Sequence, residues 1–389
     1  MKQISLFIIS LLIFTSVSGQ SICDSLSFIH CQKNTIQIND SIRSKLTKIL
    51  ESGNIKIVHI GDSHLQAAFF TEKVKQLLYQ HFQENEMIAS PGFIFPFSMA
   101  QTNNPYFFKV SYSGQWLRSR NVDEIQNSQI GISGITVSTS TPQSELKIKM
   151  QNQKYNFKTK YFFDKVILLH NIDSSINISA NNRFGNISNI GSTWEFNEPI
   201  DSIQFSFSNS DTSKNLELYG LILEKKNSNV QYHTIGVNGS MAHSYLKCSL
   251  FENHLKLLDP NIVILSLGTN EAYSKDFNRE EFIFNLTSLI SKIHNTNPNA
   301  ILLIATPNDH LKNGVINNNI AIVNESIYSL TNYFSFGIWD FYKIMGGSGS
   351  INNWYKKQLT SEDRLHFNRK GYEIQGELLY NALIQLIHN

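Results

Sequence analysis

Cysteine is scarce, with 3 in 389 residues. That excludes a disulfide-dense scaffold. No Cys/His cluster has metal-ligand spacing, and HExxH is absent, so no metal or other cofactor is expected. An excess of charge of one sign is also lacking: 33 Lys and Arg stand against 31 Asp and Glu, for a net charge of +2. This excludes the basic footprint of a nucleic-acid binder, and it offers nothing for a polyanion or a charged membrane surface to hold. Internal repeats and low-complexity tracts are missing too. The apolar run Ile4–Phe14 is too short for a comfortable membrane span.

What is present is enough apolar material for a full core, 41% of residues, over a length that suggests more than one domain. Aromatics make up 12%, including 15 Tyr, which suits β-rich structure or a carbohydrate-contacting surface. The N-terminus joins a basic start at Lys2, the short apolar run and small residues up to Gly19. This is the pattern of a secretory signal peptide over 1–19, removed after Gly19 to leave Gln20. A secreted or periplasmic chain with no stable membrane insertion after cleavage is expected. A lipid anchor on Cys23 is disfavoured because Ile22, not a small residue, precedes it. Cys23 and Cys31 are close enough to pair in an oxidising compartment, and three free buried thiols remain the alternative.

Two kinds of patterning alternate along the chain. Asp40–Glu51 places Ile42, Leu46, Ile49 and Leu50 on one helical face, Ile55–Ile60 reads as a strand ending at Gly61, and Thr71–Gln83 reads as a helix. From about Tyr106 to Lys226 short stretches alternate apolar and polar residues, as in Leu146-Lys147-Ile148-Lys149-Met150 and Ile203-Gln204-Phe205-Ser206-Phe207. That is the signature of an antiparallel β-sandwich or jelly roll. Helix and apolar strand then return: strands at Asn261–Leu267, Ala300–Ala305 and Phe336–Trp339, helices at Arg279–His294, Asn318–Tyr333 and Arg369–His388. Continuous apolar strands between helices indicate a parallel sheet covered on both faces. The expected fold is α/β, with a first part at 20–105, an inserted β-sandwich at 106–228 and a second part at 229–389.

Four segments stand out for chemistry: Gly61-Asp62-Ser63-His64, Gly236-Val237-Asn238-Gly239-Ser240, Gly268-Thr269-Asn270-Glu271 and Asp363-Arg364-Leu365-His366. Three follow apolar strands, and open α/β sheets gather ligands at the carboxyl ends of their strands. Serine needs a base to become a nucleophile, and a carboxylate three residues before a histidine can orient its ring. Asp62 is expected to shape its loop rather than act as the catalytic acid. His64 and His243 are expected to bear on packing or the rim, and His233 is expected to precede a core strand. Glu271 is expected to be solvated or to cap a helix, and Gly346–Ser350 to form a flexible loop near the site.

In identity and order, Ser63, Gly239, Asn270 and His366 resemble the four blocks of the SGNH (GDSL-like) hydrolase superfamily. The resemblance implies a flavodoxin-like three-layer fold and a serine esterase. Ser63 would be the nucleophile, with His366 and Asp363 as its acid–base partners. The backbone N–H groups of Ser63 and Gly239 and the side-chain amide of Asn270 would form the oxyanion hole. His64 in the first block, the inserted β-domain, and Met345-Gly346-Gly347 with Trp354 look like the periplasmic peptidoglycan O-acetylesterases, whose insert is similar to a carbohydrate-binding module. The implied substrate is an O-acetylated glycan. A glycan O-acetyltransferase using the same residues, or a glycan-binding protein with a vestigial site, is the alternative. The oligomeric state is left open.

Overall fold

The computed structural model describes residues 22–82, 88–152 and 159–388. The signal peptide expected at 1–19 and the expected new terminus Gln20 lie outside the described residues. Among the described residues no helix is long and apolar enough to cross a membrane.

A six-stranded sheet forms the centre of the α/β part. Its spatial order is Ile36–Gln37, Gly337–Trp339, Ile301–Ala305, Ile262–Ser266, Ile55–Gly61 and Val230–Gly236. The pairings are parallel except for Ile36–Gln37, which adds an antiparallel edge strand. Ile262–Leu265 and Ile301–Ala305 are buried throughout, as expected of strands covered on both faces. The helices form two groups. Asp40–Glu51 and Phe69–Phe82 pack on Arg369–His388, while Ala242–Leu246, Phe251–Leu258 and Asn319–Ser329 pack on Arg279–Thr296. Asn39 starts the first helix by accepting from the Ile42 N–H at 3.0 Å. Phe251–Leu258 has no counterpart in the sequence reading. The segment expected as Asn318–Tyr333 is helical over Asn319–Ser329 and ends in a 3-10 turn at Leu330–Asn332.

Register decides where the site forms. Gly61 is paired with Ser266 on one side and Gly236 on the other. Three strands therefore end at one level, and the segments that follow them carry Ser63, Gly239 and Asn270.

The inserted part is two antiparallel sheets. One has the order Asn186–Ser188, Gly191–Ile200, Phe163–His170, Leu216–Glu224, Ile135–Thr139 and Leu117–Arg120. The other runs Arg183–Phe184, Ile176–Ala180, Ser202–Asn209, Gln143–Met150 and Phe108–Ser113. Gln143–Met150 buries every second residue, so one face is core and the other faces water. Trp194 of the first sheet meets Phe205 of the second with ring centroids 5.4 Å apart.

The segment just ahead of the expected boundary at 105/106 packs on both parts. Gly92–Ile94 pairs with Leu221–Leu223 of the first sheet, and Ile88–Ala89 pairs with Lys160–Tyr161. Phe93, Ile94 and Phe95 are all buried, so the segment shows no alternation and cannot be told from a buried piece of α/β structure by pattern. Gly92 sits at φ +79°, and a Cβ there would run into the Tyr232 carbonyl of the parallel sheet, a close approach that only glycine allows.

The N-terminal segment, read as irregular, is tied down. Cys23 and Cys31 are disulfide-bonded, and Cys248 is buried as a free thiol.

Candidate active site

Asp62 opens the short helix Ser63–Gln66 by accepting from the His64 N–H at 3.0 Å. The N–H groups of Leu65 and Gln66 are taken by the Asp62 carbonyl. Among the described residues the N–H groups of Ser63 and Gly239 have no protein acceptor, which is what an oxyanion donor requires. Gly239 lies at φ +84°, in the left-handed region that glycine enters without strain.

Asp363 and His366 lie on one tight turn, closed by the Ser361 N–H on the His366 carbonyl at 2.9 Å. Asp363 Oδ1 accepts the Leu365 and His366 N–H groups at 2.9 and 3.0 Å. Its Oδ2 lies 2.7 Å from His366 Nδ1. The spacing of three residues thus lets one carboxylate oxygen fix the loop while the other orients the ring. Burial works against the Asp363 charge, but the hydrogen bonds from the His366 ring, the His366 N–H and the Leu365 N–H outweigh it and hold the pKa below the usual carboxylate value. The other ring nitrogen, Nε2, is 2.9 Å from Ser63 Oγ. The structure therefore brings Ser63, His366 and Asp363 into one hydrogen-bonded relay.

Ser63, Gly239, Asn270 and His366 line a single cavity of about 580 Å³. Asn270 turns Nδ2 to the Ser240 carbonyl at 2.9 Å and lies 3.4 Å from Asp62 Oδ2. The Ser240 bond holds the amide at the cavity edge, and the Nδ2 hydrogen on the long 3.4 Å contact to Asp62 is the one it can turn to an oxyanion. Among the described residues no cluster of His, Cys, Asp and Glu could hold a metal ion.

The residues set aside from catalysis have definite places. Asp363, not Asp62, is the carboxylate hydrogen-bonded to His366. Asp62 is buried, and burial pushes its pKa up to about 6 against the opposing pull of the His64 N–H and the His366 charge. His64 is buried with Nδ1 2.9 Å from the Tyr372 hydroxyl. His243 lies half-buried on Ala242–Leu246 and does not line the cavity. His233 is inside the strand Val230–Gly236 rather than before it, and its Nδ1 accepts the Phe93 N–H at 3.1 Å. Glu271 is buried rather than solvated. Its Oε1 accepts the N–H of Ala242, the first residue of a neighbouring helix, at 2.7 Å. Gly346–Ser350 joins Phe341–Ile344 to Ile351–Lys356 and does not line the cavity.

Sequence reasoning missed part of the lining. Asn103 comes from the loop leading into the sandwich, and Phe69 and Arg369 from helix starts. Phe69 is stacked on Tyr106 at 4.6 Å, and the Arg369 guanidinium lies 5.5 Å from the Tyr106 ring. None of these carries a local motif, and only the fold brings them together.

Residues 201–374 match the GDSL-like lipase/acylhydrolase family. The match contains Gly239, Asn270, Asp363 and His366, while Ser63 lies ahead of the insert and outside it. No curated protein matches in sequence. A solved structure described as a peptidoglycan O-acetylesterase in action superposes with a TM-score of 0.73 at 19% identity, covering 91% of this chain and 99% of that one. A lipase/acylhydrolase from Enterococcus faecalis, at 19% identity, covers 39% of this chain and 74% of its own with a TM-score of 0.32. The esterase EstA from a Pseudoalteromonas species, at 18% identity, covers 42% and 82% with a TM-score of 0.33. The chain has the SGNH hydrolase fold with an inserted antiparallel β-domain, and over residues 201–374 it carries the sequence pattern of the GDSL-like lipase/acylhydrolase family.

Proposed function

We propose that the protein is a secreted or periplasmic serine esterase that removes O-acetyl groups from a glycan, either peptidoglycan or another acetylated polysaccharide. The observation that carries this reading is the relay from Ser63 Oγ to His366 Nε2 at 2.9 Å and from His366 Nδ1 to Asp363 Oδ2 at 2.7 Å. The family match supports an acyl hydrolase. The likeness to the peptidoglycan O-acetylesterase supports the acetyl group and the glycan.

The reaction is a two-step acyl transfer. Ser63 Oγ attacks the acetyl carbonyl carbon as His366 Nε2 takes the serine proton. Asp363 fixes the ring tautomer and stabilises the imidazolium. The oxyanion receives hydrogen bonds from the N–H groups of Ser63 and Gly239 and the amide of Asn270. The carbon–oxygen bond to the sugar breaks, and the sugar oxygen takes the proton from His366. Water then attacks the acetyl-serine with His366 as base. Acetate leaves, and Ser63 regains its proton.

Ser63→Ala should abolish acetate release from a small acetyl ester while thermal unfolding stays cooperative. Full retained activity in that variant sinks the assignment. Measuring acetate release beside transfer to an added glycan separates hydrolysis from O-acetyl transfer by the same acyl-enzyme.

A further inference from the structure

The backbone N–H of Asn238 settles the orientation of three side-chain amides beside the cavity. A backbone N–H can only donate, and it meets Gln66 Oε1 at 2.8 Å. The other terminal atom of Gln66 is therefore the donor Nε2. It reaches Thr102 Oγ1 at 3.0 Å, the Asn103 carbonyl at 3.1 Å and Asn103 Oδ1 at 3.2 Å. Asn103 thus turns its oxygen inward. Asn238 faces the same oxygen with Nδ2, at 3.2 Å, and Thr102 Oγ1 at 3.3 Å. Gln66 is buried and Asn103 is exposed, so the network has a fixed root and an accessible tip.

What this leaves at the cavity is a pair of opposite character. Asn103 Nδ2 is a donor, Asn238 Oδ1 is an acceptor, and both residues line the cavity with Ser63 and Gly239. Among the described residues neither atom has a hydrogen-bond partner.

We propose that Asn103 and Asn238 form a donor–acceptor subsite for hydroxyl groups of the sugar that carries the ester. A sugar hydroxyl both donates and accepts, so one hydroxyl, or two neighbouring ones, satisfies both amides. The alcohol of an aliphatic ester has no group for either, and its binding leaves them desolvated and unpaired. The cavity volume of about 580 Å³ falls among ligand pockets of about 300–1,000 Å³. It exceeds what a two-carbon acyl group fills and leaves room for a ring. Phe69, stacked on Tyr106, supplies an apolar wall for the C–H face of that ring. Asn103 and Tyr106 both lie on the way into the sandwich, so the insert's entry loop takes part in choosing the alcohol.

This assignment rests on the glycan reading above and names the residues that select the leaving group. Asn103→Asp keeps an oxygen facing Gln66 and Asn238 and replaces the outer donor with an acceptor. Asn103→Ala removes the donor without adding charge. The readout is the ratio of kcat/KM for an O-acetylated methyl glycoside to kcat/KM for p-nitrophenyl acetate. A misfolded fraction lowers both terms alike and cancels. Both variants should lower the ratio about tenfold, the worth of one well-made hydrogen bond whose partner is left unpaired. A ratio within about twofold of wild type in both variants overturns the subsite. A wild-type protein that cleaves the aryl acetate but no acetylated sugar overturns the glycan reading itself, before any variant is compared.

Discussion

The imidazole rings of His64 and His366 lie 5.0 Å apart, tilted by 31°, yet their environments divide them into different roles. His64 is buried, and burial first, then the charges of His366 and His310, holds its pKa well below the ordinary histidine value. It remains neutral and adds no charge to oppose the imidazolium that forms on His366 during acyl transfer. His366 alone bonds to both Ser63 and Asp363, and its side chain is 32% exposed. Proton transfer therefore belongs to one ring of the pair.

That division makes Asp363 the residue to test. Asp363→Asn keeps the oxygen that accepts the Leu365 and His366 N–H groups, but it can place an N–H donor against His366 Nδ1. The ring then loses its orienting acceptor. Turnover of a small acetyl ester should fall on the order of 10³–10⁴-fold, as expected for a triad held in the wrong tautomer. A variant that keeps more than about a tenth of wild-type turnover removes Asp363 from the relay.

Asn270 is expected to act mainly on turnover. Its amide is held by the Ser240 carbonyl and faces Asp62, so it is positioned before substrate arrives. Asn270→Ala should lower kcat on the order of 100–1000-fold, with KM for a small ester moving far less. A change confined to KM would show that the amide binds the ground and transition states equally and is no oxyanion donor.

Much of this site is legible in the sequence because its determinants are local. Asp363 and His366 share one turn, and Ser63 and Asn270 each follow a strand whose apolar run marks it as buried on both faces. The amide network of Gln66, Asn103 and Asn238 has no such signature. Its members lie far apart in the chain, and Asn103 is an exposed loop residue with no periodicity around it. Gly92–Ile94 carries no pattern for a related reason: it is buried throughout, between the sandwich and the parallel sheet, and shows no alternation. His233 lies inside its strand, as His59 does in the neighbouring one. It is tolerated there because Phe93 donates its N–H to the ring.

Glu271 should make stability fall as pH rises through the mildly acidic range. Its Oε1 accepts the Ala242 N–H at 2.7 Å, and its Oε2 is buried without a partner. Burial pushes its pKa up from 4.5 to about 7, against the hydrogen bond from Ala242. Between these values the unfolded chain has released the proton and the folded chain still holds it, so unfolding becomes easier with rising pH. The stabilisation is fully present below about pH 4.5 and is lost by about pH 7. Glu271→Gln keeps an oxygen for Ala242 and removes the titration, so its urea midpoint should change less than wild type between those two pH values. Asp62, pushed up from 3.8 to about 6, contributes in the same direction at lower pH and remains in the variant. Equal slopes for variant and wild type would show that Glu271 does not titrate in this window.

Lys75 and Glu72 form an ion pair that is almost fully buried, with Nζ 2.6 Å from Oε1. Lys75 also donates to the Pro91 carbonyl at 2.7 Å, and the Tyr161 hydroxyl donates to the other Glu72 oxygen. Phe107 and Tyr161 place their rings 5.2 and 5.3 Å from the ammonium. Lys75 and Glu72 sit on Phe69–Phe82, which closely follows Ser63, whereas Phe107 and Tyr161 belong to the sandwich and its entry segment. The cluster thus fastens the insert to the helix beside the nucleophile. Lys75→Met strands a buried carboxylate and should cost about 3–5 kcal/mol in urea unfolding. Combining it with Glu72→Gln removes that lone charge and should recover a large part of the loss, because deleting both members of a buried pair is far less costly than deleting one. A double variant no more stable than Lys75→Met alone would show that the ammonium's contacts with Pro91 and the two rings, rather than its pairing with Glu72, hold the insert in place.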